Sequence, residues 1–176
     1  MNIVLIGMRG AGKSSISRRL SLLTKRPVIS TDLLIEYEND GLGIPGIVAE
    51  QGWPAFREQE FRVIEKVTRL DNLIIDCGGG VIVDLDQDGN EIFSERKVSL
   101  LRASGRVVWL KGDIARLAAR VQGDPSRPAL DAVRSAGEVM RRRLPFYEMA
   151  ADLVIDIETE KRKRLAKRIA AALAGL

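Results

Sequence analysis

The sequence predicts an α/β fold in which a five-stranded parallel sheet lies between two layers of helices. Two observations carry this prediction. Short apolar segments alternate along the chain with longer segments of helical periodicity, which is the pattern of a parallel sheet covered on both faces. The 176 residues also suit one domain with a full hydrophobic core, and no internal repeat or linker divides them. We therefore predict a single domain spanning residues 1–176.

Each element is predicted from its own stretch of sequence. Strands are predicted at residues 2–6, 27–29, 72–76, 106–110 and 152–156. Helices are predicted at residues 13–23, 31–39, 53–70, 94–103, 113–121, 131–149 and 158–174. Two segments break the alternation. Residues 84–91 are acidic and turn-rich, and residues 122–130 contain one glycine, two prolines and no clear periodicity, which is typical of a mobile loop.

Composition narrows the classes of function. The net charge is +4, and solvated helix faces account for most of the excess, although a polyanionic ligand would also suit it. Nucleic acid is disfavoured as a partner, because aromatic residues are only 5% and no basic run is interleaved with them. The chain has one cysteine and no histidine, which excludes an internal disulfide and histidine-based catalysis. No signal peptide or membrane span is apparent, so we predict a cytoplasmic protein without membrane contact.

The segment Gly7–Ser14 reads GMRGAGKS and matches the phosphate-binding pattern GxxxxGK[ST]. Its glycines let backbone N–H groups point at a β-phosphate, and the helix that follows adds its positive dipole end. Lys13 would bridge the β- and γ-phosphates of ATP, and the Ser14 hydroxyl would bind Mg²⁺. An accidental glycine-rich turn is the alternative, but the strand before and the helix after favour phosphate binding. The predicted ATP-binding residues of this segment are Gly10, Ala11, Gly12, Lys13, Ser14 and Ser15.

Three further features predict a small-molecule acceptor beside the phosphate loop. Asp32 follows the second strand, at the edge of the sheet where ligands bind. The triplet Gly78, Gly79 and Gly80 follows the third strand and allows close approach to a ligand, with N–H donors left free. Three arginines lie outside obvious i,i+4 ion pairs, and arginine is the preferred partner of carboxylate or phosphate groups. These arginines are Arg57, Arg127 and Arg143.

The ordered combination of these motifs resembles the shikimate kinase family over nearly the whole chain. The matching residues are the Gly7–Ser14 loop, Ser30-Thr31-Asp32 with Ile35-Glu36, Gly52 followed by Phe56-Arg57 and Glu60, Gly78–Gly80, Arg127-Pro128, and Arg143-Leu144-Pro145-Phe146-Tyr147. The resemblance implies transfer of the ATP γ-phosphoryl group to the 3-hydroxyl of shikimate, in chorismate biosynthesis. We also predict that the chain is a monomer. It implies a P-loop kinase fold with strand order 2-3-1-4-5, an acceptor-binding segment at residues 31–62 and a mobile lid at residues 122–132.

The resemblance also assigns roles to individual residues. It implies that Asp32 hydrogen-bonds the accepting hydroxyl and takes its proton, and that Arg57 and Arg143 bind the shikimate carboxylate. Gly79 would present its backbone to the substrate, within the substrate-binding triplet. Arg127, in the lid, would stabilise the transferring phosphoryl group, and Arg120 would lie along the nucleotide base. Lys13, Asp32 and Arg127 are thus the predicted catalytic residues.

Two departures from the family pattern affect metal binding. Where the family has an aspartate that helps hold the Mg²⁺ hydration shell, this chain has Ser30. We predict that Asp76, at the end of the third strand, supplies the missing carboxylate beside Ser14, although a strand-capping role would also explain it. Further on, Asp84–Glu95 matches the calcium-loop pattern of an EF-hand. Its extended flank and the polar Glu91 within it favour an acidic surface turn over a Ca²⁺ site.

Two other functions are compatible with the sequence. A kinase for gluconate or another sugar acid would also need arginines for a carboxylate. A non-catalytic nucleotide-binding regulator would be consistent with Ser30 in the metal site. Retention of Lys13, Ser14, Asp32 and Arg127 favours a catalyst over the regulator.

Overall fold

The computed structural model describes residues 1–121 and 134–174. The strands are β1 (Asn2–Ile6), β2 (Val28–Ser30), β3 (Ile74–Asp76), β4 (Val83–Leu85), β5 (Glu91–Phe93), β6 (Gly105–Lys111) and β7 (Leu153–Asp156). The helices are α1 (Lys13–Thr24), α2 (Thr31–Tyr37), α3 (Ile44–Val67), α4 (Glu95–Ser104), α5 (Ile114–Val121), α6 (Ala136–Ala150) and α7 (Arg162–Ala174).

Five parallel strands form the central sheet in the order β2-β3-β1-β6-β7. Counted within this sheet alone, the order is 2-3-1-4-5, as predicted, and each predicted strand lies within two residues of the observed one. All residues of β1 and β3 are buried, so helices must cover both faces of the sheet there. Parallel pairing brings the carboxyl ends of β1, β2 and β3 to one edge, where Leu5 and Ser30 both pair with Asp76.

The core contains one prominent aromatic pair. Trp109 in β6 stacks on Tyr147 in α6, with ring centroids 5.5 Å apart and planes only 9° from parallel. Both side chains are fully buried, so the pair fixes α6 against the sheet. This places the first half of α6, including Arg143, over the edge where the parallel strands end.

Three helices differ from their predicted bounds by more than two residues. Helix α3 begins at Ile44, well before residue 53, with an interruption at Gly52, whose φ is 80°. Gly52 and Pro54 are typical of a helix start, which is why only the second part was predicted. Helix α6 begins after Ser135, whose side chain and that of Glu138 form a capping box. Helix α7 begins at Arg162, later than the predicted residue 158.

The acidic segment forms a β-hairpin that the sequence did not predict. Strands β4 and β5 pair antiparallel, with Leu85 opposite Glu91. Asp86 organises the turn, since its carboxylate accepts hydrogen bonds from the backbone N–H groups of Asp88 and Asn90. The hairpin carries Glu91 toward the carboxyl edge of the main sheet.

The predicted lid at residues 122–132 falls outside the described residues, and so does Arg127. In the part of the chain that is described, no helix is both long and apolar enough to span a bilayer.

Candidate active site

A cavity of about 760 Å³ lies at the carboxyl edge of β1, β2 and β3. This size suits a pair of small-molecule substrates. It brings together most of the predicted site residues: Gly10, Gly12, Lys13, Ser14, Ser15, Asp32, Arg57, Asp76, Gly78, Gly79, Gly80, Arg120 and Arg143. Ala11 is buried and does not line the cavity.

The phosphate loop has the backbone that its glycines permit. Gly10 and Gly12 adopt positive φ angles of 77° and 85°, a region that residues with a side chain rarely enter. Lys13 folds over the loop and donates from Nζ to the carbonyl oxygens of Gly7 and Met8, at 2.7 and 3.2 Å. The loop backbone therefore holds the Lys13 ammonium group at the position where a phosphate is predicted to bind.

The first turn of α1 completes the anion site. It contains no acidic residue, so the helix dipole is uncompensated and favours a phosphate at the N-terminus. Two arginines from distant elements reach the loop. Arg120 in α5 donates to the Gly10 carbonyl oxygen at 3.2 Å, and Arg162 in α7 lies so close that a Cβ at Gly12 would be 2.9 Å from its Nε.

Asp76 and Ser30 are direct neighbours in the sheet. They pair in register on β3 and β2, and since paired residues of adjacent strands point to the same face, both side chains line the cavity together with Ser14. The Ser30 hydroxyl caps α2 by accepting from the Leu33 N–H at 3.4 Å. Asp76 is 5% exposed, and its carboxylate has no hydrogen bond or ion pair to any described residue.

This arrangement fits a Mg²⁺ ion. A buried carboxylate without a partner is costly unless a cation compensates it, and a hydroxyl with one carboxylate is a sufficient protein contribution for a metal that binds mainly phosphate and water. No group of three or more acidic or cysteine side chains that would suit an all-protein metal cage occurs among residues 1–121 and 134–174.

Asp32 and Gly78 are in contact across the edge of the sheet. Asp32 lies in the first turn of α2, and its Oδ1 occupies the space that a Cβ on Gly78 would need. The N–H of Gly78 donates to Thr31 Oγ1 at 3.0 Å. The prediction that the triplet leaves its N–H donors free is thus wrong at this position. The absent side chain makes room for the Asp32 carboxylate instead.

Gly80 makes room for Arg57 in the same way. A Cβ at Gly80 would lie 2.6 Å from both Nη atoms of Arg57. Arg57 Nη1 donates to the Gly80 carbonyl oxygen at 3.1 Å and to Glu60 Oε2 at 3.0 Å. Its guanidinium also lies 5.2 Å from the centre of the Trp53 ring. Arg57 is therefore buried at the cavity wall with its position fixed on three sides.

A buried ion-pair network supports Arg57 from behind. Glu60 Oε2 accepts a second hydrogen bond from Lys97 Nζ at 2.7 Å, and both side chains are almost fully buried. Lys97 Nζ also lies 3.4 Å from Asp84 Oδ1. Burial alone would raise the pKa of Glu60, but the charges of Lys97 and Arg57 outweigh it and lower that pKa below its ordinary value. Glu60 is therefore ionised in the folded protein at neutral pH.

Arg143 reaches the cavity from α6. Its Nη1 lies 3.4 Å from the carbonyl oxygen of Gly79, and the Tyr147 hydroxyl donates to the same oxygen at 2.5 Å. Burial raises the pKa of Tyr147 well above its usual range, so this hydroxyl keeps its proton and remains a donor. The Nε of Arg143 donates to Glu91 Oε2 at 2.8 Å, and its Nη2 pairs with Glu91 Oε1. The middle glycine of the triplet thus uses its backbone to hold Arg143 and Tyr147.

Comparison with known proteins is consistent with this geometry. The shikimate kinase family model matches residues 9–174. A shikimate kinase of Leptospira biflexa is 44% identical over 169 residues, which cover 96% of this chain and 93% of that protein. The chain belongs to the shikimate kinase family. The structure of the Acinetobacter baumannii shikimate kinase in complex with shikimate has a TM-score of 0.84 at 28% identity and covers 99% of this chain and 93% of that one.

Membership of the shikimate kinase family confirms the predicted P-loop kinase fold and makes the chain an ATP-dependent kinase. A gluconokinase of Sinorhizobium meliloti shares the fold, with a TM-score of 0.60 at 18% identity over 99% of this chain and 95% of that protein. The fold alone therefore does not separate shikimate from other acceptors, and the side chains of the cavity must do so.

Two residues of the site were missed by the sequence analysis. Lys97 lies in a charged helix segment that is typical of solvent exposure, yet it is 0% exposed. Glu91 belongs to the segment interpreted as a surface turn, yet it contacts Arg143. Glu60 was noted only as part of a motif. Glu60 and Glu91 complement the charges of the predicted arginines, and Lys97 complements Glu60, but these pairings cannot be recognised before the hairpin is placed.

The calcium-loop pattern has a structural explanation. Its first residue, Asp84, is engaged by Arg96 and by the Ser94 hydroxyl, at 2.8 and 2.7 Å. Its last residue, Glu95, begins α4 and faces Ser99 on the same helix. The turn between β4 and β5 is flanked by these two strands and not by two helices. The segment is therefore a β-hairpin and not only the acidic surface turn that was predicted, and the preference against a Ca²⁺ site stays a prediction.

Proposed function

We propose that this chain transfers the γ-phosphoryl group of ATP to the 3-hydroxyl of shikimate, giving shikimate 3-phosphate and ADP. The observation that carries the proposal is the pair of buried guanidiniums, Arg57 and Arg143, in the cavity whose other end is the phosphate loop. A carboxylated ring alcohol places its carboxylate at this pair and a hydroxyl toward ATP. Family membership supports the same substrate.

At the donor end, the phosphate loop positions ATP. Backbone N–H groups of the loop and the N-terminus of α1 hold the β-phosphate, and Lys13 turns from its two carbonyl partners to the β- and γ-phosphates. Arg120, which already touches the loop, lies along the nucleotide base. Arg127, the lid residue, adds positive charge to the transferring phosphoryl group.

At the metal position, Ser14 and Asp76 would hold Mg²⁺. The ion would supply charge neutralisation on the β- and γ-phosphates. To test the assignment, the Mg²⁺ dependence of turnover is measured for Asp76→Asn and for the control Asp88→Asn, an exposed carboxylate in the hairpin turn. We expect only Asp76→Asn to need a higher Mg²⁺ concentration for half-maximal rate. An unchanged Mg²⁺ dependence would remove Asp76 from the metal site.

At the acceptor, Asp32 would receive a proton. It lines the cavity in contact with Gly78. The 3-hydroxyl hydrogen-bonds to the Asp32 carboxylate and gives up its proton to it as the oxygen bonds to the γ-phosphorus and the bond to ADP breaks. Positioning and charge neutralisation supply most of the rate enhancement in such a transfer.

The carboxylate preference is tested with an acceptor that differs in charge alone. Shikimate and its methyl ester are compared as acceptors for the unmodified chain and for Arg143→Met. The ester lacks the charge interaction of the carboxylate with the guanidiniums, and close charge pairs couple by about 1.5 kcal/mol or more, so the ester should lose roughly tenfold or more in kcat/KM. In Arg143→Met the two acceptors should differ much less. Equal use of both acceptors by the unmodified chain would contradict the assignment.

The two alternative functions, a sugar-acid kinase and a nucleotide-binding regulator, predict different results. Gluconate serves as the competing acceptor, and turnover with gluconate but not shikimate would indicate a sugar-acid kinase. ATP binding without acceptor-dependent ADP release would indicate a regulator. We further propose that the chain acts as a monomer in the cytoplasm, where ATP and the acceptor are available, and sedimentation of the purified chain tests the monomeric state.

A further inference from the structure

Glu91 is paired with the two arginines to which the proposed function assigns the acceptor carboxylate. Its carboxylate binds Arg143 through Nε and Nη2, which is the edge of a guanidinium that receives a carboxylate in bidentate fashion. The same carboxylate lies 3.9 Å from Arg57 Nη2. An acceptor carboxylate therefore meets a site in which another carboxylate is already bound.

The remaining hydrogen-bonding capacity of Arg57 also points toward a ligand. Its Nη1 is used by Glu60 and the Gly80 carbonyl oxygen. Its Nε is buried and has no hydrogen-bond partner, a costly condition for a charged group. Glu91 thus binds Arg143 through two nitrogens but approaches Arg57 only to 3.9 Å, and a second carboxylate could complete the hydrogen bonds of Arg57.

The charge balance of the cluster decides whether both carboxylates can stay. With Glu91 in place, four cationic and four anionic side chains of the ion-paired cluster balance. They are Arg57, Arg96, Lys97 and Arg143 against Glu58, Glu60, Asp84 and Glu91. A ligand carboxylate adds a fifth negative charge, which is unfavourable in a poorly solvated site. Departure of Glu91 restores the balance.

The structure also offers Glu91 a second position. A smaller cavity of about 80 Å³ is lined by Glu91 together with Arg57, Arg134 and Arg142. Glu91 is the first residue of a three-residue strand in a hairpin that pairs only with itself among the described strands. Its side chain is 20% exposed. Rotation toward Arg134 and Arg142 therefore keeps the carboxylate beside positive charge.

We propose that Glu91 is a displaceable counter-ion of Arg57 and Arg143 that competes with the carboxylate of the acceptor and of the product. It neutralises the two arginines when the cavity is empty, moves aside when the acceptor binds, and returns as the product leaves, since phosphorylation of a hydroxyl leaves the acceptor's carboxylate in place. Glu91 thereby sets the affinity for carboxylated ligands. This inference rests on the proposed function.

The test compares Glu91→Gln with Glu95→Gln, which removes the same charge from an exposed position outside the cavity. We expect Glu91→Gln to lower the KM for shikimate and the inhibition constant of shikimate 3-phosphate by about tenfold, near the low end of coupling between close charges. The KM for shikimate methyl ester should stay within about twofold, because the ester does not compete with Glu91. Glu95→Gln should leave all three constants unchanged.

A role in merely orienting Arg143 predicts the opposite sign, so a raised or unchanged KM for shikimate in Glu91→Gln would overturn the proposal. If the variant loses turnover, the shift in melting temperature on adding shikimate still reports binding. That shift should be larger for Glu91→Gln than for the unmodified chain, and an equal or smaller shift would overturn the proposal. Absence of shikimate-dependent ADP release by the unmodified chain would instead defeat the proposed function itself.

Discussion

Replacement of Glu60 by glutamine should destabilise the fold strongly, although it replaces only one carboxylate oxygen by an amide NH2 group. Glu60 Oε2 lies 3.0 Å from Arg57 Nη1 and 2.7 Å from Lys97 Nζ, and all three side chains are buried. Loss of the carboxylate charge leaves two buried cations with incomplete compensation. Breaking a buried pair in this way costs about 3–5 kcal/mol. Because Lys97 keeps Asp84 at 3.4 Å and the Val83 carbonyl oxygen, we expect about 3 kcal/mol.

The assay is urea unfolding at pH 7, where Glu60 is ionised. Glu58→Gln is the matched control, since Glu58 lies on the same helix but is 43% exposed in its ion pairs with Arg62 and Arg96. It should cost less than about 1 kcal/mol. In a double-mutant cycle, Lys97→Met should cost at least about 1.5 kcal/mol less in the Glu60→Gln background. A Glu60→Gln cost below about 1 kcal/mol, or additive effects, would refute the reasoning.

Three further outcomes are expected. Gly78→Ala places a Cβ against the Asp32 carboxylate and should lower kcat at least about 100-fold. The control Gly137→Ala, where a Cβ would have no neighbour closer than 3.8 Å, should leave kcat unchanged. Similar kcat values for the two variants would contradict this. Burial opposes ionisation of Asp84, but hydrogen bonds and ion pairs with Arg96 and Lys97 lower its pKa to about 2, which is below the unfolded value of about 3.9. The stability that the Asp84 carboxylate contributes is therefore present above about pH 4 and lost toward about pH 2. The urea midpoints of the unmodified chain and of Asp84→Asn should converge over that range. Lys13→Met should lower kcat by a factor of at least about 100 with the free energy of unfolding within about 1 kcal/mol, as measured by initial rates and urea unfolding.

The main sheet could be predicted from the sequence because its strands are continuous apolar segments. Burial on both faces selects such segments, and helical periodicity between them sets the alternation. The hairpin of β4 and β5 could not be predicted in this way. Its strands have three residues each and include Asp84 and Glu91, whose charges are compensated by residues of α4 and α6. Local polarity indicated a turn, while contacts distant in sequence decided the structure.

The site was predictable where a motif fixes local backbone geometry and less so where side chains meet across the fold. The phosphate loop carries its own conformation in Gly10 and Gly12. The contact between Asp32 and Gly78, by contrast, depends on the pairing of β2 with β3. The sequence therefore indicated that a glycine was needed but not that a carboxylate fills its space. The place of Arg143 likewise follows from the stacking of Tyr147 on Trp109.

The most direct test of the central claim is a coupled assay of ADP release by the purified chain with Mg²⁺ and ATP, with and without shikimate. ADP release that depends on shikimate, with stoichiometric formation of shikimate 3-phosphate and little turnover of gluconate, is the predicted result. ADP release that is the same with and without shikimate, or that requires gluconate instead, would contradict the account.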